Sequence, residues 1–321
     1  MRGYFLRVNR KRKPFKGETS MQKKHKTVET LLDAIPHIKK FYGKKIVIKY
    51  GGSAQTSPEL KEKFAEDIVL LKLVGMNPVI VHGGGARISE LLEKLEIHSE
   101  FVDGHRVTSE ETMRVVEMVL SGEINKNITS LLNHHGAKAI GISGKDSSII
   151  NAEPKENGKF GYTGVITKVD GEMIDNLINE GFIPVIAPIA DSAEPNHPGF
   201  NINADVAASK VASAINAQKV LFLTDTKGVL DKSGNLLHSL DEVEVDEYKT
   251  DETIAGGMIP KVDSCIDAIF NGVNKAHIID GRVEHSLLLE LFTSDGIGTQ
   301  FVRRDNPNNG IDINKLLNTK G

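Results

Sequence analysis

Apolar residues in this chain gather in short continuous runs, separated by stretches where they recur at helical spacing. The runs are KIVIKY (45–50), NPVIVH (77–82), AKAIGI (137–142), FIPVIAP (182–188), KVLFLT (219–224) and KAHIID (275–280). An apolar run without polar alternation fits a strand buried on both faces, as in a parallel sheet. Between the runs, Leu60, Phe64, Ile68 and Leu71 form one helical stripe, and Ile88, Leu91, Leu92 and Leu95 form another. Helical patterns also cover 110–120, 122–134, 171–180, 204–216 and 259–272. GKFGYTGVIT (158–167) alternates around glycines and predicts a short antiparallel hairpin. Strands alternating with helices predict an α/β fold, a three-layer αβα sandwich around an open, mainly parallel sheet. The polar loop DSAEPNHPGFN (191–201), with its two prolines, suggests a boundary between two lobes near residue 190.

Ahead of the first strand, TVETLLDAIPHIKKF (27–41) sets Val28, Leu31, Leu32, Ile35 and Ile38 on one helical face. Pro36 has no N–H for the carbonyl of Leu32, so a kink is expected there. The face has no obvious partner in its own lobe; it packs either on its own core or on another subunit.

Charge divides the chain. Residues 1–26 carry ten Lys/Arg and one acid, while the remainder holds 30 basic and 42 acidic residues. The basic segment RVNRKRKPFK (7–16) has the composition of a nucleic-acid arm or a targeting peptide. It is poor in serine and shows no secretory core, so we expect a disordered leader, or sequence read through ahead of a start at Met21. The acidic remainder lacks an aromatic stacking pattern, which argues against nucleic-acid binding. No apolar run approaches a membrane span. The single cysteine, Cys265, excludes an internal disulfide and fits a reducing, cytoplasmic compartment. Its helix is patterned for the core, so it is expected to be buried and unreactive.

Two strand-like runs end in glycines: KIVIKY in Gly51-Gly52, and NPVIVH in Gly83-Gly84-Gly85. In parallel α/β sheets ligands bind at the carboxyl ends of strands, and helix N-termini favour anions. Three specific motifs fail. G-x-G-x-x-G lacks its last glycine in GGGARISE. The Walker A pattern has a near miss in AIGISGKDSS, with Ala139 for the first glycine and Asp146 for the hydroxyl residue. His82-Gly83-Gly84-Gly85 matches a lipase oxyanion loop, but Lys145 breaks the required G-x-S-x-G elbow at Ser143. What remains is charge beside tight backbone: Lys49 before Gly51-Gly52, Asp205 in NINADVAAS, and Lys261 in AGGMIPKVDSC. Two lysines, an aspartate and glycine turns suit phosphoryl transfer, which needs positioning and charge neutralisation rather than a protein nucleophile. Singly, Asp205 could be a first-turn helix acid, Asn203 an N-cap, and Lys261 or Arg106 a solvated charge. Their shared position at strand or helix ends argues for a common crevice.

With these residues the chain resembles the amino acid kinase family, and within it the branch acting on N-acetyl-L-glutamate. The resemblance runs from about Thr27 to about Arg303, in the ordered segments IVIKYGGSA, VIVHGGGARIS, DGHRVTSEETMRVVEMVL, GISGKD, NINADVAAS, LTDTKGVL and AGGMIPKV. It implies an open sheet of about eight strands between helical layers. It also implies a helix at 27–42, an acyl-acceptor lobe at 43–190, a nucleotide lobe at 191–304 and a tail at 305–321. The implied reaction is ATP-dependent phosphorylation of the γ-carboxylate of N-acetyl-L-glutamate in arginine biosynthesis, with Mg²⁺ and no metal ligand from the protein itself. By the same resemblance Lys49 and Lys261 would stabilise the moving phosphoryl group, and Asp205 would orient both. Gly84, Gly85, Arg106, Asn201 and Asn203 would bind the acceptor, with Arg106 on its α-carboxylate. Gly84 and Gly85 would be bare because ligands lie against their backbone. Gly51, Gly52, Thr224, Asp225, Gly228, Gly257 and Met258 would surround the nucleotide. His82 is expected to be structural. Departures at His105 and Lys227 leave the charged roles untouched.

The N-terminal helix and DGRVEHSLLLELFTSDGIGTQF (280–301) resemble the arginine-inhibited subclass. That implies L-arginine as inhibitor, with His285, Glu290, Gly296 and Gly298 as candidate contacts, and a dimer or trimer of dimers. A PII-type signalling protein is a further candidate partner. Residues 285–292 also read as an amphipathic helix burying Leu287, Leu288 and Leu291. The rivals are a family member acting on glutamate, aspartate, carbamate or UMP, and a non-catalytic amino-acid sensor of the same fold.

Overall fold

The computed structural model of the chain describes residues 20–305 apart from Asp103. Most of the basic leader and the tail beyond Asp305 lie outside the described residues. Eight strands form one sheet: β1 (Lys45–Tyr50), β2 (Asn77–His82), β3 (Ala139–Ser143), β4 (Ile183–Ala187), β5 (Lys219–Thr224), β6 (Ser239–Leu240), β7 (Lys275–Asp280) and β8 (Thr299–Phe301), in spatial order 6-8-7-5-1-2-4-3. All neighbours run parallel except β7 and β8. The sheet crosses residue 190 without a break, so both proposed lobes share it.

Burial explains the apolar runs. In β1, Val47 packs into a cluster with Val79, Val81, Ala207, Val211 and Val262. Ile46 and Ile48 face the other way, toward Phe64, Ile68, Ile80 and Leu291. Helices α6 (Gly171–Asn179), α7 (Ala204–Ala214) and α9 (Ile259–Phe270) therefore cover one face. Helices α2 (Pro58–Leu73), α5 (Asn125–His134) and α10 (Ser286–Phe292) cover the other.

Several boundaries differ from expectation. α1 starts at Ser20, upstream of Thr27, and runs through Pro36 to Phe41. Among the described residues most of its stripe is uncovered: Val28, Leu31, Leu32 and Ile35 are exposed, while Ile38 is half-buried. The hairpin strands are Ile150–Pro154 and Gly164–Val169, so residues 158–163 belong to their connection. Pro154 ends the first strand, and Glu156 and Asn157 turn the chain at positive φ. The stretches 110–120 and 122–134 form one rod: α4 (Glu110–Glu117), a π-helical stretch Met118–Ile124, and α5. α8 (Glu242–Thr250) was not anticipated, because its faces are nearly uniformly polar; the capping box of Asp241 and Glu244 was its one readable signal.

Candidate active site

β1 turns toward β2 on one side and pairs with β5 on the other, so the sheet reverses its winding between β1 and β5. A crevice opens at the carboxyl ends of strands at such a point. Lys49 lies there, in register with Val81 and Phe222. Opposite it, Asn203 caps α7, its Oδ1 accepting from the N–H groups of Asp205 and Val206. The cap fixes the first turn and so aims Asp205.

The sequence-predicted charges meet. Lys49 Nζ is 3.0 Å from Asp205 Oδ1, and Lys261 Nζ is 3.0 Å from Asp205 Oδ2. Burial opposes the Asp205 carboxylate, but the two ammonium groups outweigh it and hold its pKa below the ordinary range. A Cβ on Gly51 would stand 3.0 Å from Lys49 Nζ. Gly52 has φ +64° and begins a 3₁₀ turn, Gly52–Gln55, whose Ser53 N–H donates to Asp225 Oδ1 at 2.8 Å. Asp225 thus already occupies an amide of the turn expected to face phosphate. Thr224 ends β5, and its carbonyl accepts from Gly281. Gly228 lies against Thr299, Gly257 faces open space before α9, and Met258 packs against the core.

Arg106 is buried, and its partners among the described residues are all uncharged. Nη1 donates to Ser99 Oγ at 2.8 Å, while Nη2 donates to Gly85 O at 3.2 Å and Ser89 Oγ at 2.9 Å. The guanidinium carbon lies 4.5 Å from the centre of the Phe101 ring. Burial pulls its pKa below the usual value. A buried cation without a counter-charge is costly until an anion arrives. Arg106 shares a cavity of about 240 Å³ with Lys49, Asp205, Asn201, Gly84 and Gly85. Asn201 donates to Thr108 Oγ1 at its wall.

Gly84 and Gly85 differ. A Cβ on Gly84 would lie 2.5 Å from Ile124 Cδ1 and 2.6 Å from Leu120 Cδ2, both in the π-helical stretch. A Cβ on Gly85 would meet nothing within 4 Å. Packing within the chain therefore crowds Gly84 but not Gly85, a difference that the expectation of ligand approach at both glycines did not include.

His82 holds this turn from below. Nδ1 lies 3.0 Å from Gly83 O and Nε2 lies 3.2 Å from Asn125 Nδ2. A carbonyl only accepts and an amide nitrogen only donates, so Nδ1 carries the proton. Burial pushes the His82 pKa down to about 4, against the pull of the Gly83 hydrogen bond, with Lys126 adding to the fall. The folded pKa is depressed, so the unfolded chain takes up this proton first and stability is lost as pH falls from about 6.5 toward 4. A His82→Asn variant lacks this term. Its deficit against the parent in urea titrations should shrink by about 3 kcal/mol between pH 7 and pH 4. A constant deficit across that range would exclude a neutral, buried His82.

At the other end of the sheet, Glu290 Oε1 is 2.6 Å from His277 Nδ1, and Oε2 accepts from the N–H groups of Ile297 and Gly298. Gly296 wraps the same carboxylate. His285 stands apart, 2.6 Å from Asp67 of α2. Lys219 is buried beside Glu290, its pKa lowered by burial to about 7. Sequence reading missed His277 and Lys219; each sits in an apolar run that reads only as a strand.

The chain matches the amino acid kinase family over residues 44–280 and belongs to that family. It is 78% identical, over 91% of its length and 97% of the relative's, to the acetylglutamate kinase of Aliarcobacter butzleri. It is 63% identical to the acetylglutamate kinase of Wolinella succinogenes over 88% of this chain and 100% of that one. Among solved structures, N-acetylglutamate synthase from Neisseria gonorrhoeae, complexed with coenzyme A and N-acetyl-glutamate, superposes with a TM-score of 0.77 at 26% identity over 87% of this chain. This chain spans 64% of that synthase. The same synthase complexed with coenzyme A and L-arginine gives a TM-score of 0.72 over 86% of this chain and 65% of that one.

Proposed function

We propose that this chain transfers the γ-phosphoryl group of ATP to the γ-carboxylate of N-acetyl-L-glutamate, giving an acyl phosphate and ADP. The observation that carries this reading is one cavity holding both Arg106, a buried cation with only neutral partners among the described residues, and the Lys49–Asp205 pair. Arg106 suits the α-carboxylate of the acceptor. The γ-carboxylate then points toward Lys49, and one of its oxygens attacks the γ-phosphorus as the bond to the ADP oxygen breaks. No general base is needed, because a carboxylate is already ionised at neutral pH. Lys49 and Lys261 approach from opposite oxygens of Asp205, so the cluster keeps a net positive charge for the transferring group. Mg²⁺ bound through the nucleotide's own phosphates would supply further neutralisation. Among the described residues, no three His, Cys, Asp or Glu side chains gather to hold a metal. Thr224, Asp225, Gly228, Gly257 and Met258 lie on the β5–α9 side, which suits the nucleotide.

The test is hydroxylamine trapping of the acyl phosphate, with ATP and N-acetylglutamate, glutamate or aspartate offered in turn. Absence of hydroxamate with N-acetylglutamate overturns the reading. Product with glutamate or aspartate alone favours another branch of the family. No product with any acceptor favours a sensor.

Arginine inhibition is part of the same proposal. The Glu290 carboxylate with Gly296, Gly298, His277 and Lys219 lies near the end of α1, where the Lys219 ammonium is 5.2 Å from the Phe41 ring centre. Burial opposes ionisation of Glu290, yet its His277 and backbone hydrogen bonds hold its pKa down to about 2, so an anion is ready for a guanidinium. The exposed face of α1 suits a second subunit, consistent with an oligomer. Arginine at millimolar concentration is expected to inhibit the full chain, and deletion of residues 1–42 should abolish inhibition and lower the mass seen in sedimentation. Glu290→Gln should raise the half-inhibitory arginine concentration by about tenfold or more. An active full chain indifferent to arginine would rule out the subclass.

A further inference from the structure

We infer that Ser89 and Ser99 are positioning residues for the acceptor, acting through the Arg106 guanidinium. The inference rests on the reading of Arg106 as the α-carboxylate clamp. Arg106 belongs to a two-residue hairpin strand, His105–Arg106, paired only with Phe101–Val102. So small a unit cannot by itself fix a long, rotamer-rich side chain. The anchoring comes from elsewhere. Ser89 lies on α3 (Gly85–Lys94), one turn past the glycine triplet, and Ser99 lies in the segment leading into the hairpin.

Each serine takes a different terminal nitrogen, Ser99 on Nη1 and Ser89 on Nη2, while Gly85 O takes a second bond from Nη2. Two separated nitrogens held by two separate elements fix the plane of the guanidinium, and the Phe101 ring covers it at 4.5 Å. Of five N–H donors in an arginine, three are then used among the described residues, which leaves two for a ligand. The serines are uncharged, so they hold the group without neutralising it. An acid in either place would orient Arg106 equally well and cancel the charge the acceptor needs. Ser89 also couples the clamp to the glycine triplet, since Gly85 begins the helix on which Ser89 stands.

The test uses the full chain and the variants Ser89→Ala, Ser99→Ala, their double, and Ser89→Thr. Each alanine variant should raise KM for N-acetyl-L-glutamate on the order of tenfold, the loss expected for one hydrogen bond to a charged group. The effect on kcat and on KM for ATP should be much smaller. Ser89→Thr keeps the hydroxyl and should return most of the acceptor KM. In an Arg106→Ala background the serine changes should add nothing. Unchanged acceptor KM in both alanine variants, or a full effect without Arg106, overturns the inference. A second measurement does not depend on the acceptor: phenylglyoxal labelling of residue 106, mapped by peptide mass spectrometry, should run several-fold faster in the alanine variants. If the parent chain proves inert toward N-acetylglutamate, the function assigned above falls, and the labelling rate alone decides whether the serines anchor Arg106. Equal labelling in parent and variants overturns the anchoring.

Discussion

Replacing Lys49 by alanine is expected to lower kcat on the order of a thousandfold, with circular dichroism and melting temperature close to those of the parent. The ammonium lies at the carboxyl end of β1, and its one charged partner among the described residues is Asp205. Removing it leaves Asp205 still paired with Lys261, so no buried charge is stranded and the fold has little reason to fail. On the proposed mechanism the chemistry loses one of two positive charges aimed at the transferring group. Lys261→Ala should cost a similar factor, and the double variant less than the product of the two, because both act on the same group in one transition state. Steady-state assays by hydroxamate formation check this. A folded Lys49→Ala protein retaining a tenth or more of the parent kcat would falsify the assigned mechanism.

The two neighbouring glycines should respond in opposite ways. Gly84→Val is expected to reduce unfolding free energy by about 1–3 kcal/mol, as overpacking does. Its Cβ must displace the ends of Ile124 and Leu120, and Leu120 also lines the cavity that Arg106 shares with Lys49. Acceptor KM should therefore rise along with the loss of stability. Gly85→Ala meets no protein atom and should leave stability within about 0.5 kcal/mol of the parent. Whatever it does to KM then reports on ligand space alone. Urea titration and acceptor kinetics on both variants separate the cases. Equal stability for the two would show that the π-helical stretch yields freely to a side chain at Gly84.

Which parts of this were readable beforehand follows from physics. β1, β2, β5 and β7 match their apolar runs residue for residue, because strands covered on both faces leave few polar positions. β6 and β8 are too short to carry any pattern. The seam between α4 and α5 was invisible, since a π-helical stretch keeps helical periodicity on either side. Lys49, Asp205 and Lys261 stood out individually, each at an element's end. That two of them grip opposite oxygens of the third depends on strand order, which no local pattern encodes. His285 illustrates the same limit. It neighbours Glu290 in sequence, but a φ of +58° at the start of α10 turns it to Asp67, and His277 takes the carboxylate instead.

The reversal of winding between β1 and β5 also has a biosynthetic consequence. Lys49 emerges early from the ribosome, Asp205 much later, and Lys261 near the end. A nascent polypeptide shorter than 261 residues cannot hold all three, and β1 lacks its inner neighbour until β5 exists. Pairing at such sequence separation comes late in folding. On the proposed mechanism the nascent chain stays silent until Lys261 has emerged and most of the domain has closed around its oldest strand.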